Sequence, residues 1–171
     1  MKIIFLDVDG VLNSKLWFEK LYQSKKIEKG VKKKLIDRID PNAIQLLNIL
    51  ISNTGAKVVI SSSVRKFHTT EKIQYNLNLK GFIGEIIGAT PILKFTGLKN
   101  YNYSVPRGNE IKAWLEINKG ILGDKISKTK YVILDDDNDM LLWQRENYIW
   151  VDPFCGLTPN IIERAIRILS K

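Results

Sequence analysis

Short unbroken apolar runs alternate along the chain with longer stretches in which apolar residues recur every three or four positions. Ile3-Ile4-Phe5-Leu6 ends in Asp7, Lys57-Val58-Val59-Ile60 ends in Ser61-Ser62-Ser63, and Tyr131-Val132-Ile133-Leu134 ends in Asp135-Asp136-Asp137. Runs of this length read as strands buried on both faces. Tyr148-Ile149-Trp150-Val151 gives a fourth, and Ile86-Ile87, between Gly84 and Gly88, a short fifth. The periodic stretches predict helices over 14–24, 40–53, 64–78, 109–119 and 158–169, with a short one after the acidic triplet. Asp40-Pro41 and Thr158-Pro159 each place a capping side chain before a proline at the first helical position. Gly55 and Gly81 are the expected stops. Residues 91–106 read as a loop. Strands alternating with helices predict a parallel sheet covered on both faces, a three-layer α/β fold of Rossmann-like type. The pattern holds no repeat and no linker, so residues 1–171 are expected to form one domain. Residues 13–40 form a lysine-rich insert within it.

Composition narrows the setting. The chain has 171 residues, 44% hydrophobic and 26% charged, which suits a soluble globular domain. No apolar run is long enough to span a bilayer, and the first is too short for a signal peptide. The single cysteine, Cys155, excludes an internal disulfide and fits a reducing compartment. A cytoplasmic protein with no membrane partner is therefore expected. The formal charge of +9 favours polyanions, so nucleic acid is a candidate partner. A lysine-biased composition would give the same charge. His68 is read as an exposed helix residue. Trp114, Trp143 and Trp150 fall at core positions. Trp17 and Phe18 suit either the core or a wall on which a base stacks.

Three strands end in polar clusters: Asp7-Val8-Asp9-Gly10, Ser61-Ser62-Ser63 and Asp135-Asp136-Asp137-Asn138-Asp139. In a parallel sheet these ends share one edge, and ligands bind there. Each cluster alone has a plain structural reading, as a turn, a helix cap or a solvated loop. All three after apolar strands point to chemistry. Clustered carboxylates repel unless a cation lies between them, and hard oxygen ligands suit magnesium. Two carboxylates two residues apart offer a nucleophile and an acid/base, and a carboxylate can attack phosphorus. The hydroxyls of Ser61 and Ser62 suit phosphoryl oxygens.

At these residues the chain resembles the haloacid dehalogenase (HAD) superfamily. Phe5-Leu6-Asp7-Val8-Asp9-Gly10-Val11-Leu12 looks like its first motif, Val58-Val59-Ile60-Ser61 its second, and Ile133–Asp139 its fourth. Residues 61–65, 107–111 and 151–158 resemble the HAD domain of Swiss Army Knife RNA-repair proteins. The resemblance implies a HAD-like fold, with Asp7 as nucleophile and Asp9 as acid and base. It implies magnesium held by the Asp7 carboxylate, the Asp9 carbonyl and an acid of the fourth motif, with Asp135 favoured over Asp136 and Asp139. Ser61 would hold the transferring phosphoryl group. The third motif departs from the usual lysine. Arg107 at a helix start is preferred as its cation, with Lys112 the alternative. The inserts are too short for a full cap domain, so the cap is minimal and the site open, which suits the end of an RNA or DNA. Lys25 to Lys34 then form either a basic rim beside the site or a solvated, partly disordered face, and Arg65 either contacts substrate phosphate or pairs with an acid. A magnesium-dependent phosphomonoesterase of nucleic-acid ends follows. The alternatives are a phosphatase of small metabolites or nucleotides, and a catalytically silent binding module.

Overall fold

Each strand of the central sheet carries apolar side chains toward both faces. In β1 (Lys2–Leu6), Ile4 and Leu6 enter one core and Ile3 and Phe5 the other. The computed structural model describes residues 1–24, 34–94, 105–122 and 129–171. Strand β2 (Lys57–Ile60) pairs with one side of β1, and β4 (Lys130–Asp135) with the other. Strands β3 (Ile86–Ala89) and β5 (Tyr148–Trp150) lie at the edges. The order is β3-β2-β1-β4-β5 and, among the described residues, every pairing is parallel, as expected.

Helices α3 (Pro41–Thr54), α4 (Thr70–Asn78) and α7 (Pro159–Ser170) cover one face. Their Ile44, Leu47, Leu50, Ile73, Leu77, Ile161 and Leu169 pack with Ile4, Val58 and Val132. Helix α5 (Arg107–Ile117) covers the other, packing Ile111, Trp114 and Leu115 on Ile3, Phe5 and Ile133. Phe5 meets the rings of Trp114 and Tyr131 edge-on at 5.4 and 5.7 Å. Helices α1 (Lys15–Gln23) and α2 (Leu35–Arg38) belong to the insert between β1 and β2, and α6 (Lys119–Leu122) follows α5. Among the described residues no helix is long and apolar enough to cross a membrane.

The caps read at Asp40 and Thr158 are present, and Ser14 also caps a helix. Asp40 accepts from the Asn42 N–H, Thr158 from Ile161 and Ser14 from Trp17. Gly55 closes α3 with φ +66°. The continuous helix expected over 64–78 is instead two pieces, a 3-10 turn at Ser63–Lys66 and α4. Thr69 accepts from the Lys72 N–H and starts a fresh helix, so His68 lies between the two pieces. Two tryptophans also differ from expectation. Trp143 and Trp150 are about half exposed, at 51% and 50%. β5 is an edge strand and Trp150 faces outward, its indole donating to the Asp136 carbonyl at 2.8 Å. The basic run Lys25 to Lys33, and residues 95–104 of the expected loop, lie outside the described residues.

Candidate active site

Strand order places the three polar clusters side by side, because β1 is central and β2 and β4 are its neighbours. The ladder continues into the clusters. The Asp7 N–H donates to the Leu134 carbonyl at 3.0 Å, and the Ser61 N–H to the Leu6 carbonyl at 2.8 Å. Beyond Asp7 the chain turns tightly. The Leu12 N–H returns to the Val8 carbonyl at 2.8 Å, and the Gly10 N–H reaches Asn13. Gly10 has φ +78°, and a Cβ there would run into the Asp136 carboxylate. Both conditions demand glycine, which explains the Asp-x-Asp-Gly sequence physically.

Asp7, Asp135 and Asp136 bring carboxylate oxygens within 4.8 Å of one another. Asp7 and Asp135 are buried, with the Asp135 side chain 1% exposed. Burial pushes the Asp7 carboxyl up to about 7, against opposing help from Ser62 and Arg107. Burial and the nearby Asp7 push Asp135 up to about 8. Burial and the Asp137 charge also raise Asp136. One oxygen of Asp135 is buried without a hydrogen bond, and so is the Ser61 hydroxyl. A buried acid with an unsatisfied oxygen beside two others is a donor set suited to a hard divalent cation.

Among the described residues, Arg107 is the cation that pairs with this cluster. Its guanidinium lies 4.0 Å from Asp7, 3.5 Å from Asp135 and 3.3 Å from Glu110. Gly108 permits the approach of α5: a Cβ there would strike the Leu141 backbone and Gln144. Gln144, fully buried, donates to the Gly108 carbonyl at 2.9 Å. Glu110, to which the sequence assigned no role, ties Arg107 to Arg65. Lys112 lies away from the cluster, exposed and 3.8 Å from Glu116 on its own helix.

Arg65 takes the second of its two readings. Its side chain is 3% exposed, pairs with Glu110 and donates to the Ser62, Thr90 and Pro91 carbonyls. The guanidinium is thus enclosed among an acid and backbone carbonyls. Asp139 stands outside the carboxylate group. Its side chain accepts from the Arg107 N–H at 2.7 Å, filling one of the open donors of α5's first turn. Ser62 is buried and caps the 3-10 turn by accepting from the Val64 N–H.

A cleft of about 510 Å³ opens over Asp7, Asp9, Arg107, Asp136 and Asp137. Asp9 is partly exposed there, held by Asn13 at 2.8 Å and paired with Arg38. Asn13 and Arg38 went unassigned in the sequence. Asn13 lies four residues from Asp9 and could have been suspected; Arg38 reaches Asp9 only through the fold. Phe18 lines the cleft, whereas Trp17 is pinned by its indole N–H to the Arg38 carbonyl at 2.9 Å. Tyr148 and Trp150 of β5 donate to the carbonyls of Asp137 and Asp136, each at 2.8 Å, and so fix the acidic loop.

A family model described as the HAD domain in Swiss Army Knife RNA repair proteins matches residues 3–161. No curated protein and no solved structure matched the chain.

Proposed function

Because the chain belongs to the family of HAD domains in Swiss Army Knife RNA repair proteins, we propose that it is a magnesium-dependent phosphomonoesterase acting on nucleic-acid ends. The family itself supports a HAD-type phosphatase in general. The observation that carries the finer reading is Asp7, buried among Asp135, Asp136 and Arg107, with Asp9 in the same cleft.

In this reading an Asp7 carboxylate oxygen attacks phosphorus, and the bond from phosphorus to the leaving oxygen breaks. Asp9 gives that oxygen a proton. The carboxylate of Asp9 then takes a proton from water, which attacks the aspartyl-phosphate and frees inorganic phosphate and Asp7. Arg107 and the Ser61 hydroxyl stabilise the phosphoryl oxygens. Magnesium would be held by Asp7, Asp135, Asp136 and the Asp9 carbonyl, and would neutralise charge on the phosphoryl group. The net charge of +9 favours a polyanionic substrate, and the cleft volume is in the range that takes a nucleotide.

Phosphate release from a 3′-phosphorylated oligonucleotide, with and without magnesium, tests the reading. Release should require the metal, and KM should climb steeply with salt. Rapid turnover of small phosphate esters, with the oligonucleotide ignored, would remove nucleic-acid ends from it.

Arg107→Ala is expected to lower kcat/KM by about 10²- to 10³-fold, the loss typical of one preorganised charge-stabilising donor. Lys112→Ala should stay within about twofold, in line with an exposed surface charge. Steady-state kinetics on both variants checks this, and the reverse ranking would reassign the cation.

The acidic cluster also predicts a pH dependence. Asp7 and Asp135, against an ordinary value of 3.8, hold their protons to about 7 and 8 in the folded chain. Between these values the folded state binds more protons than the unfolded state. Stability of the metal-free protein therefore falls as pH rises from about 4 to 8. Added magnesium binds the ionised cluster and should raise Tm clearly at pH 8 and little at pH 5. Equal shifts at both pH values, read by thermal unfolding, would contradict this.

A further inference from the structure

Cationic side chains line the cleft in two places, and acidic side chains crowd them very unequally. Arg107 has Asp7, Glu110 and Asp135 within 4.0 Å and a side chain only 15% exposed. Arg38 and Lys15 line the same cleft. Among the described residues Arg38 has one carboxylate partner, Asp9, and its side chain is 32% exposed. Lys15 is exposed and has no carboxylate within 4.0 Å among the described residues.

The backbones that carry Arg38 and Lys15 are also fixed in place. The Trp17 indole holds the Arg38 carbonyl, and two residues on the Asp40 N–H donates to the Leu12 carbonyl at 2.9 Å. Ile39 between them is fully buried. Lys15 starts α1, its N–H held by the Pro153 carbonyl at 3.0 Å, and the Leu16 N–H by Phe154 at 3.1 Å. Two anchored backbones thus set Arg38, paired with Asp9, and Lys15 in the lining of the cleft that holds Asp7.

Resting on the phosphatase reading above, we propose that Arg38 and Lys15 form a subsite for a second, non-transferred phosphate of the substrate. The planar fork of Arg38 suits two phosphate oxygens at once, and Lys15 adds a point charge. The favoured substrate class is a phosphomonoester with a neighbouring phosphate on the same molecule, as in a nucleoside 3′,5′-bisphosphate or a phosphorylated strand end.

Calorimetric binding to the 171-residue Asp7→Asn chain in magnesium buffer tests this without turnover. Adenosine 3′,5′-bisphosphate should bind about tenfold or more tightly than adenosine 3′-monophosphate, the equivalent of one charge-assisted hydrogen bond. Adding Arg38→Ala should bring that ratio close to one, Arg38→Lys should keep part of it, and Lys15→Ala should lower it less. Weakening of both ligands by the same factor in Arg38→Ala would reduce Arg38 to a positioning residue for Asp9 and overturn the subsite. So would a ratio near one before any change to Arg38. Wild-type turnover of the monophosphate keeps the two ideas apart. Turnover with a ratio near one sinks the subsite alone; a large, Arg38-dependent ratio with no turnover of either ligand leaves Arg38 as a phosphate contact but sinks the phosphatase reading, and with it the assignment of that phosphate as the non-transferred one.

Discussion

Asp7→Asn is expected to abolish phosphate release, by on the order of 10⁴-fold or more, while leaving the fold intact. An amide oxygen is a poor nucleophile and cannot form the acyl-phosphate. The substitution is close to isosteric, so the packing around a buried position is preserved. Stability should move the other way. Asp7 is a buried acid facing Asp135 and Asp136, and burial already resists its ionisation. Removing its charge relieves that cost in the metal-free protein, most at high pH. Tm of the metal-free variant at pH 8 should therefore exceed that of the wild type, each 1 kcal/mol gained being worth about 2–4 °C in a chain of this size. Circular dichroism and phosphate release on the same preparation check both halves. A variant that loses activity because it fails to fold would not support the nucleophile assignment.

Asp9→Asn carries the second large effect. Asp9 lies in the cleft and is more exposed than Asp7, its side chain 42% exposed against 7%. It sits where a leaving oxygen and then a water can reach it. An asparagine keeps the Asn13 and Arg38 contacts in outline but can neither give a proton to the leaving oxygen nor take one from water. A loss of about 10²- to 10⁴-fold in kcat is expected, the usual worth of a positioned acid/base. Substrates with a good leaving group need less protonation, so they should suffer less in the first step. Equal loss on 4-nitrophenyl phosphate and on an alkyl phosphate would point to the second step, water activation. An unimpaired rate on both would remove Asp9 from the chemistry.

Much of this was legible because it is local in sequence. A buried strand ending in polar residues is a run of adjacent positions, and three such runs with intervening helices dictate where their ends meet. Gly10, read as part of a turn, and Gly108, at a helix start, proved to be close approaches of backbone to a carboxylate and to a neighbouring loop. What escaped was pairing between distant segments. Arg38 reaches Asp9 across 29 positions, and Arg65 reaches Glu110 across 45. Composition and periodicity carry no record of such partners, so Arg65 stood between substrate and brace until its surroundings were seen. Asp139 looked like its acidic neighbours, but three-dimensional proximity to the start of α5 gives it a capping role. Trp150 shows the same limit in the sheet. An apolar run identifies a strand, yet it cannot tell that the strand lies at an edge of the sheet. The exposed indole instead secures the Asp136 carbonyl.

A single-turnover reaction stopped in acid tests the covalent role of Asp7 most directly, with the phosphoryl group labelled and the peptide bearing Asp7 isolated. Label on Asp7 at early times, lost on treatment with hydroxylamine and absent in Asp7→Asn, is the predicted result. Phosphate appearing in solution at full rate while Asp7 never carries the label, or continuing in Asp7→Asn, would contradict it.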